Sequence, residues 1–175
     1  MTTVLYIVLG LVLLIVILAV IAPKGYDVNR SITIDQPVSK VFDYLKYLKN
    51  QDEWSPWQKR DPNMKKEFVG TDGEVGAISK WDGNKEVGMG EQELKRIVEN
   101  EVIESELRFL KPWKSESDAY LKVNESDTGQ TQVIWGFSGR NKFPMSIMML
   151  FMNMDKMVGK DFEEGLGSLK ELMES

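Results

Sequence analysis

The sequence predicts an α+β domain in which a curved antiparallel sheet of about seven strands wraps around a long C-terminal helix, with one transmembrane helix in front. Three observations support this fold class. Residues 1–23 carry no charged side chain. One strand-like and one helix-like segment then precede six strand-like segments joined by short turns. The last thirty residues repeat apolar side chains at helical spacing.

The first element is a membrane-spanning helix. Val4–Ala22 is an unbroken run of 19 uncharged residues, which as a helix spans about 28 Å and matches the hydrocarbon thickness of a bilayer. Pro23 ends the helix. A cleaved signal peptide is the alternative, but residues 1–3 lack the Lys or Arg of its n-region and the apolar run is too long.

We therefore expect a retained anchor at residues 1–23 and a ligand-binding domain at residues 24–175. The cations nearest to the membrane segment all follow it, at Lys24, Arg30 and Lys40. By the positive-inside rule, this distribution favours a single-pass protein whose domain lies in the cytoplasm.

The domain begins with a strand and a short helix. Apolar and polar residues alternate over 26–34, as in a half-buried strand. Asp35-Gln36-Pro37 is a typical helix start, and apolar residues from Val38 to Leu48 follow at helical spacing. Residues 50–63 form a long connector rich in Trp and Pro.

Six further strand candidates follow, and their short links predict an antiparallel meander. They are residues 65–69, 77–81, 87–98, 102–110, 115–124 and 130–138. The chain then ends in a helix predicted from Met145 to Glu174. Its apolar stripe comprises Phe151, Met154, Val158, Phe162, Leu166, Leu169 and Leu172 or Met173.

The composition excludes several classes of function. The chain has no histidine and no cysteine, so thiol chemistry, disulfides and the commonest general base are absent. The net charge is −5 and no basic cluster stands out, which argues against nucleic acid as a partner. No phosphate-binding or metal-binding motif occurs, so we predict no catalytic residue, metal or cofactor.

Alternation places one set of strand residues on the face that the C-terminal helix covers. Together with aromatic residues of the connector and the inner face of the helix, these residues form the predicted ligand pocket. Its members are Trp54, Trp57, Trp81, Leu107, Phe109, Leu121, Trp135, Phe137, Phe151, Met154, Asp155 and Val158. The apolar members of this set could instead fill an ordinary core.

Two features of the helical segment leave alternatives open. Asp155 either orients a polar group of a ligand or pairs with Arg140 or Lys142. Six of the ten methionines lie between Met145 and Met157. They cannot all share one helical face, so we expect exposed Met and Phe surface at a pocket mouth, a partner interface or the bilayer.

The ordered set of motifs resembles the bacterial SRPBCC or polyketide cyclase-like proteins, a branch of the START-like, helix-grip fold. The resemblance covers Tyr26 to the C-terminus. It rests on Ser31-Ile32-Thr33-Ile34, Pro37, Val41-Phe42, Trp54-Ser55-Pro56-Trp57, Asp61-Pro62-Asn63-Met64, Lys111-Pro112-Trp113, Val133-Ile134-Trp135-Gly136-Phe137, Phe143-Pro144-Met145, Met149-Leu150-Phe151-Met152 and Met154-Asp155-Lys156-Met157.

The resemblance implies a cavity between sheet and C-terminal helix that holds an apolar small molecule. We therefore expect a membrane-anchored binding protein for an apolar or amphipathic ligand, lipid-like or polyketide-like, without chemistry. Two alternatives stay open. One is a cyclase or dehydratase that uses Asp155, a Tyr or a Glu. The other is a protein-interaction module similar to the chaperone-ATPase activators, with an unknown protein partner.

Overall fold

A computed structural model describes residues 1–175. Seven strands and six helices follow one another along the chain. They are α1 (Thr2–Ile21), β1 (Gly25–Ile34), α2 (Val38–Leu45), α3 (Gln51–Trp54), α4 (Pro56–Arg60), β2 (Lys65–Val69), β3 (Ile78–Asp82), β4 (Met89–Val98), β5 (Val102–Lys111), β6 (Ser115–Glu125), β7 (Thr131–Arg140), α5 (Met145–Met148) and α6 (Met154–Glu174).

All seven strands form one antiparallel sheet in the order β1-β7-β6-β5-β4-β3-β2. Strands β2 to β7 are a meander, and β1 closes the order by pairing with β7 from Gly25↔Arg140 to Ile34↔Thr131. The predicted α+β class and the meander are confirmed. Each strand also begins and ends within two residues of its predicted bounds.

The N-terminal helix α1 stands apart from the core. None of its residues is buried, and it is the one helix long and apolar enough to cross a membrane. Its chain enters the domain at a fixed point, because Asn141 donates from its backbone N–H to Lys24 O at 2.9 Å and from Nδ2 to Pro23 O at 3.1 Å.

The prediction of one continuous helix from Met145 was wrong. A single turn, α5, is followed by five non-helical residues, and the long helix α6 begins at Met154. Asn153 determines this start, because its backbone is extended and its side chain accepts a hydrogen bond from Lys156 N at 3.0 Å. This is the geometry of an N-cap. The periodicity of the sequence did not reveal this N-cap, because apolar residues continue on both sides of Asn153.

The predicted connector is also more ordered than expected, since it folds into α3 and α4. Pro56 is at the first helical turn of α4, where its fixed φ and missing N–H cost nothing. The two short helices bring Trp54 and Trp57 against Trp135 of β7, at ring-centroid distances of 4.8 Å and 5.6 Å. The connector therefore covers the sheet together with α6.

Candidate functional site

The helix α6 covers the β7 side of the sheet without leaving room for a ligand. Trp135 stacks on Phe162 with ring centroids 4.3 Å apart. A Cβ added at Gly165 would lie 2.7 Å from Trp135 Cζ3, so this glycine permits the close approach of helix and sheet. Leu166 and Leu169 complete the packing and are almost fully buried.

A cavity of about 140 Å³ lies instead between the connector and the other half of the sheet. Its walls come from α3, α4 and the connections on either side of them, from strands β2 to β5, and from the β3–β4 connection. None of the lining residues belongs to α6. The lining residues are Leu48, Gln51, Asp52, Ser55, Trp57, Met64, Lys66, Ser79, Trp81, Val87, Gln92, Leu107 and Phe109.

The strand register explains why space remains there. Ser79 of β3 pairs with Gln92 of β4, and Gln92 pairs with Leu107 of β5, so these three residues share the inward face. Trp81 lies across Gly90 on the same face, where an added Cβ would be 2.6 Å from the indole ring. Small and polar residues in β3 and β4 therefore stand where β7 has large apolar ones.

The cavity has an apolar side and a polar side. The rings of Trp81 and Phe109 meet edge to face at 6.0 Å, and they form the apolar side with Trp57 and Leu107. The polar side holds a half-buried ion pair between Lys66 Nζ and Asp52 Oδ1. The surroundings therefore suit a ligand that is itself amphipathic.

The structure distributes the twelve predicted pocket residues over several places. Trp57, Trp81, Leu107 and Phe109 line the cavity. Leu121 and Trp135 border a void of about 10 Å³ beside it. Trp54 and Phe137 are buried in the core, and Val158 packs partly buried against it.

The remaining three, Phe151, Met154 and Asp155, line a different feature. This is an open groove of about 420 Å³ next to the point where α1 joins the domain, bordered also by Pro23 and Tyr26. Phe151 is 81% exposed there, because the break at Asn153 takes it off the inner face of α6. The groove is wider than the cavity but open, and it gives a ligand little enclosure.

Asp155 has a different ion-pair partner from the two cations predicted for it. It pairs with Arg30 of β1, with 2.8 Å between Arg30 Nη1 and Asp155 Oδ1, instead of with Arg140 or Lys142. Arg30 Nε also donates to Glu163 Oε1 at 2.6 Å, about two helical turns after Asp155 in α6. The hydrogen bond from Arg30 holds the pKa of Asp155 below its ordinary value. Asp155 therefore fastens α6 to β1 as a carboxylate.

Sequence reasoning missed the polar side of the cavity. Lys66, Ser79 and Gln92 share the inward face with Trp81 and Leu107 by strand pairing, so period-two alternation could have identified them. Gln51 and Asp52 carried no such signal, because the connector was not expected to be helical.

Comparison with solved structures identifies the fold. No protein-family model matches the chain, and no curated protein sequence matches it at a significant level. A protein from Nitrosospira multiformis is 19% identical and has a TM-score of 0.61, with 86% of this chain and 97% of that chain covered. The Aha1 dimer from Colwellia psychrerythraea is 16% identical and has a TM-score of 0.60, over 85% of this chain and 96% of that chain.

A third similar structure is DynU16, a protein of the dynemicin biosynthetic locus. It is 12% identical with a TM-score of 0.58, and the match covers 85% of this chain but 47% of DynU16. Identities this low establish the fold alone. The curved seven-stranded sheet with its long C-terminal helix is therefore the expected helix-grip fold.

Proposed function

We propose that this chain is a membrane-anchored binding protein for a small amphipathic molecule, and that it holds this ligand without chemical change. The cavity between the connector helices and strands β2 to β5 supports the proposal. It combines an aromatic wall, formed by Trp57, Trp81 and Phe109, with a polar wall that contains Gln51 and the Lys66–Asp52 pair.

The volume narrows the class of ligand. About 140 Å³ is close to the roughly 150 Å³ of an apolar protein cavity that admits benzene, and below the roughly 300 Å³ of sites for drug-sized molecules. The enclosed part of the ligand therefore has about the size of one aromatic ring. A lipid-like or polyketide-like ligand would extend through the mouth or displace the connector helices.

Two observations support binding without catalysis. Asp155, the candidate acid or base, lies outside the cavity in an exposed ion pair with Arg30. A general acid needs a raised pKa to hold its proton near neutral pH, whereas the pKa of Asp155 is lowered. No Tyr or Glu, the other candidate acids or bases of the cyclase alternative, lines the cavity, and the similarity to Aha1 adds only the fold to the interaction-module alternative.

The proposed anchor would hold the binding domain at the membrane surface. Three residues, 22–24, separate α1 from β1, a reach of about 10 Å when extended. With α1 in a bilayer, the domain stays against the headgroups and meets ligands dissolved in the membrane at high local concentration.

Binding of small aromatic molecules tests the cavity. We expect the detergent-solubilised chain to bind phenol more tightly than toluene by NMR titration, because the hydroxyl reaches the polar wall. Val87→Phe, at the cavity rim, should fill the space and abolish binding. Val75→Phe is the matched control, because Val75 is 62% exposed in the β2–β3 turn. Equal binding by the two variants would refute the cavity as the site.

The anchor is tested separately by the intact mass of the chain purified from membranes. A retained anchor gives the full mass and keeps the chain in the membrane fraction after an alkaline wash. A mature chain that begins after Ala22 would identify a cleaved signal sequence instead, and the proposal of a membrane-anchored protein would be wrong.

A further inference from the structure

The two ends of the sheet differ sharply in charge. Since the strands are antiparallel, their connections fall into two groups at opposite ends. The anchor-side end comprises residues 22–24, 61–64, 83–88, 112–114 and 141–153, and the distal end comprises residues 35–37, 70–77, 99–101 and 126–130.

The distal end is mainly acidic. Its four strand connections contain no Lys or Arg, and their charged residues are Asp35, Asp72, Glu74, Glu99, Glu101 and Asp127. The α2–α3 connection lies beside them, since the backbone N–H groups of Leu48 and Lys49 donate to Asp72, and it adds two cations, Lys46 and Lys49. The anchor-side connections carry Lys24, Lys85, Lys114 and Lys142, and strands β5 and β7 end there with Lys111 and Arg140. The domain is therefore polarised along its strands, with the positive end where α1 joins it.

Three acids also lie at the anchor-side end: Asp61 and Glu86 in connections, and Asp82 at the end of β3. All three lie in or next to strands β2 and β3, at the edge of the sheet farthest from β1. Asp61 accepts a hydrogen bond from the backbone N–H of Asn84 at 2.7 Å, so its charge is used within the domain.

Large apolar side chains are exposed among these cations. Trp113 at the tip of the β5–β6 hairpin is 71% exposed, and Phe143, Met148 and Phe151 in the β7–α6 connection are more than half exposed. The whole segment 143–153 has no charged residue. Cations that flank exposed aromatic and Met side chains are typical of surfaces that enter a bilayer interface.

The register places both apolar segments near the entry of α1. Gly25 pairs with Arg140, Ser138 pairs with Asp118, and Ser115 pairs with Phe109. The hairpin tip at Trp113 therefore lies two to three strands from β1, about 10–15 Å sideways at strand spacing. The β7–α6 connection is nearer still, since Asn141 bonds the backbone of residues 23 and 24.

We propose that the anchor-side end docks on the anionic lipid surface of the membrane that holds α1, with Trp113 and Phe151 inserted at headgroup depth. This inference rests on the anchor of the proposed function. The lysines and Arg140 pair with anionic headgroups, while the mainly acidic distal end is repelled from them, so charge and the inserted aromatic side chains favour the same orientation of the domain. The β3–β4 connection, which carries Val87 at the cavity rim, then faces the bilayer.

Site-directed spin labelling of the full chain in vesicles tests this orientation, and the absence of native cysteine makes single labels simple. A label at Ser115→Cys reports on the hairpin, and one at Thr128→Cys reports on the distal end. In vesicles that contain phosphatidylglycerol, we expect the Ser115 label to lose collisions with a water-soluble relaxation agent and gain collisions with oxygen. The Thr128 label should stay in water.

Changing the charge separates docking from anchoring. Lys111→Gln with Lys114→Gln should lower the ratio of docked to undocked domain about 25-fold, taking about fivefold for each lysine removed near an anionic surface. Lys95→Gln with Lys122→Gln, on exposed strand residues away from this end, is the matched control. Flotation of the chain with the vesicles after a salt wash confirms that α1 is inserted.

Each outcome decides one proposal. A chain that does not float with vesicles refutes the anchor. A chain that floats while the Ser115 label remains in water refutes the docking alone. Equal protection of this label in purely phosphatidylcholine vesicles would refute the role of anionic lipid.

Discussion

The two halves of the sheet have the same backbone pattern but different interiors. Under α6, Trp135 is enclosed by Phe162, Trp54 and Trp57, and the half is filled. Beneath α3 and α4, inward positions are held by Ser79 and Gln92 and by the ring of Trp81 over Gly90, and a cavity remains.

The difference follows from what covers each half. A long helix presents a regular apolar stripe, and a glycine such as Gly165 allows it to lie directly on an indole ring. Two short helices offer fewer side chains, and their two Trp residues already lie against Trp135. The side chains that they place above the cavity include the polar Gln51 and Asp52. The cavity therefore arises where the cover is short and irregular, away from the long helix α6.

Replacing Trp135 by Ala should have the largest effect on stability. The side chain is 4% exposed, and deleting a buried Trp costs about 3–5 kcal/mol. We expect denaturant unfolding of the detergent-solubilised chain, followed by circular dichroism, to show a loss in this range. Phenol binding by the folded variant should change little, because Trp135 does not line the cavity.

Trp81→Ala is the counterpart in the open half. Trp81 is partly exposed and borders the cavity, so its removal should cost less stability and more phenol affinity than removal of Trp135. A loss of stability as large as that of Trp135→Ala would mean that the open half is packed as tightly as the filled one.

The sequence predicted the strands well because alternation persists wherever one face is buried. Alternation over residues 102–110 and 130–138 correctly predicted both strands. It also predicted which of their side chains point inward, namely Leu107, Phe109, Trp135 and Phe137. The long helix was predicted with a wrong start, since the N-cap at Asn153 lies inside a continuous apolar run. Because of this wrong start, Phe151 was wrongly assigned to the apolar stripe of the helix.

The cavity itself depends on tertiary packing that no local pattern contains. The missing side chain of Gly90 matters only because strand pairing lays the indole ring of Trp81 across it. Asp52 reaches Lys66 only because the connector folds into α3. The partner of Asp155 was mistaken for the same reason. Arg30 is 125 residues away in sequence, and only the packing of α6 along β1 brings the two together.

A pair of glycines in α6 sharpens the comparison at intermediate size. Gly165→Ala places a Cβ 2.7 Å from Trp135 Cζ3, and overpacking of this kind costs about 1–3 kcal/mol. Gly167→Ala meets nothing within 4 Å, so it should stabilise the helix by up to about 1 kcal/mol. Unfolding midpoints that move in the same direction for both variants would show that α6 does not lie tightly on the filled half.

The smallest expected effect concerns the ion pair that fastens α6 to β1. Because the guanidinium of Arg30 bonds its carboxylate, the pKa of Asp155 is lowered in the folded state. The stabilisation is therefore fully present above the ordinary aspartate pKa of about 3.9, and it is lost as the pH falls through the lowered folded value.

Asp155→Asn should destabilise the chain slightly at neutral pH. Its deficit in unfolding free energy relative to the parent chain should vanish in acid below the lowered folded pKa. Glu171→Gln, at an exposed position of the same helix, is the control. A deficit of Asp155→Asn that stays constant from neutral to strongly acidic pH would show that the asparagine disturbs packing, and that the ion pair with Arg30 does not hold α6 over the filled half.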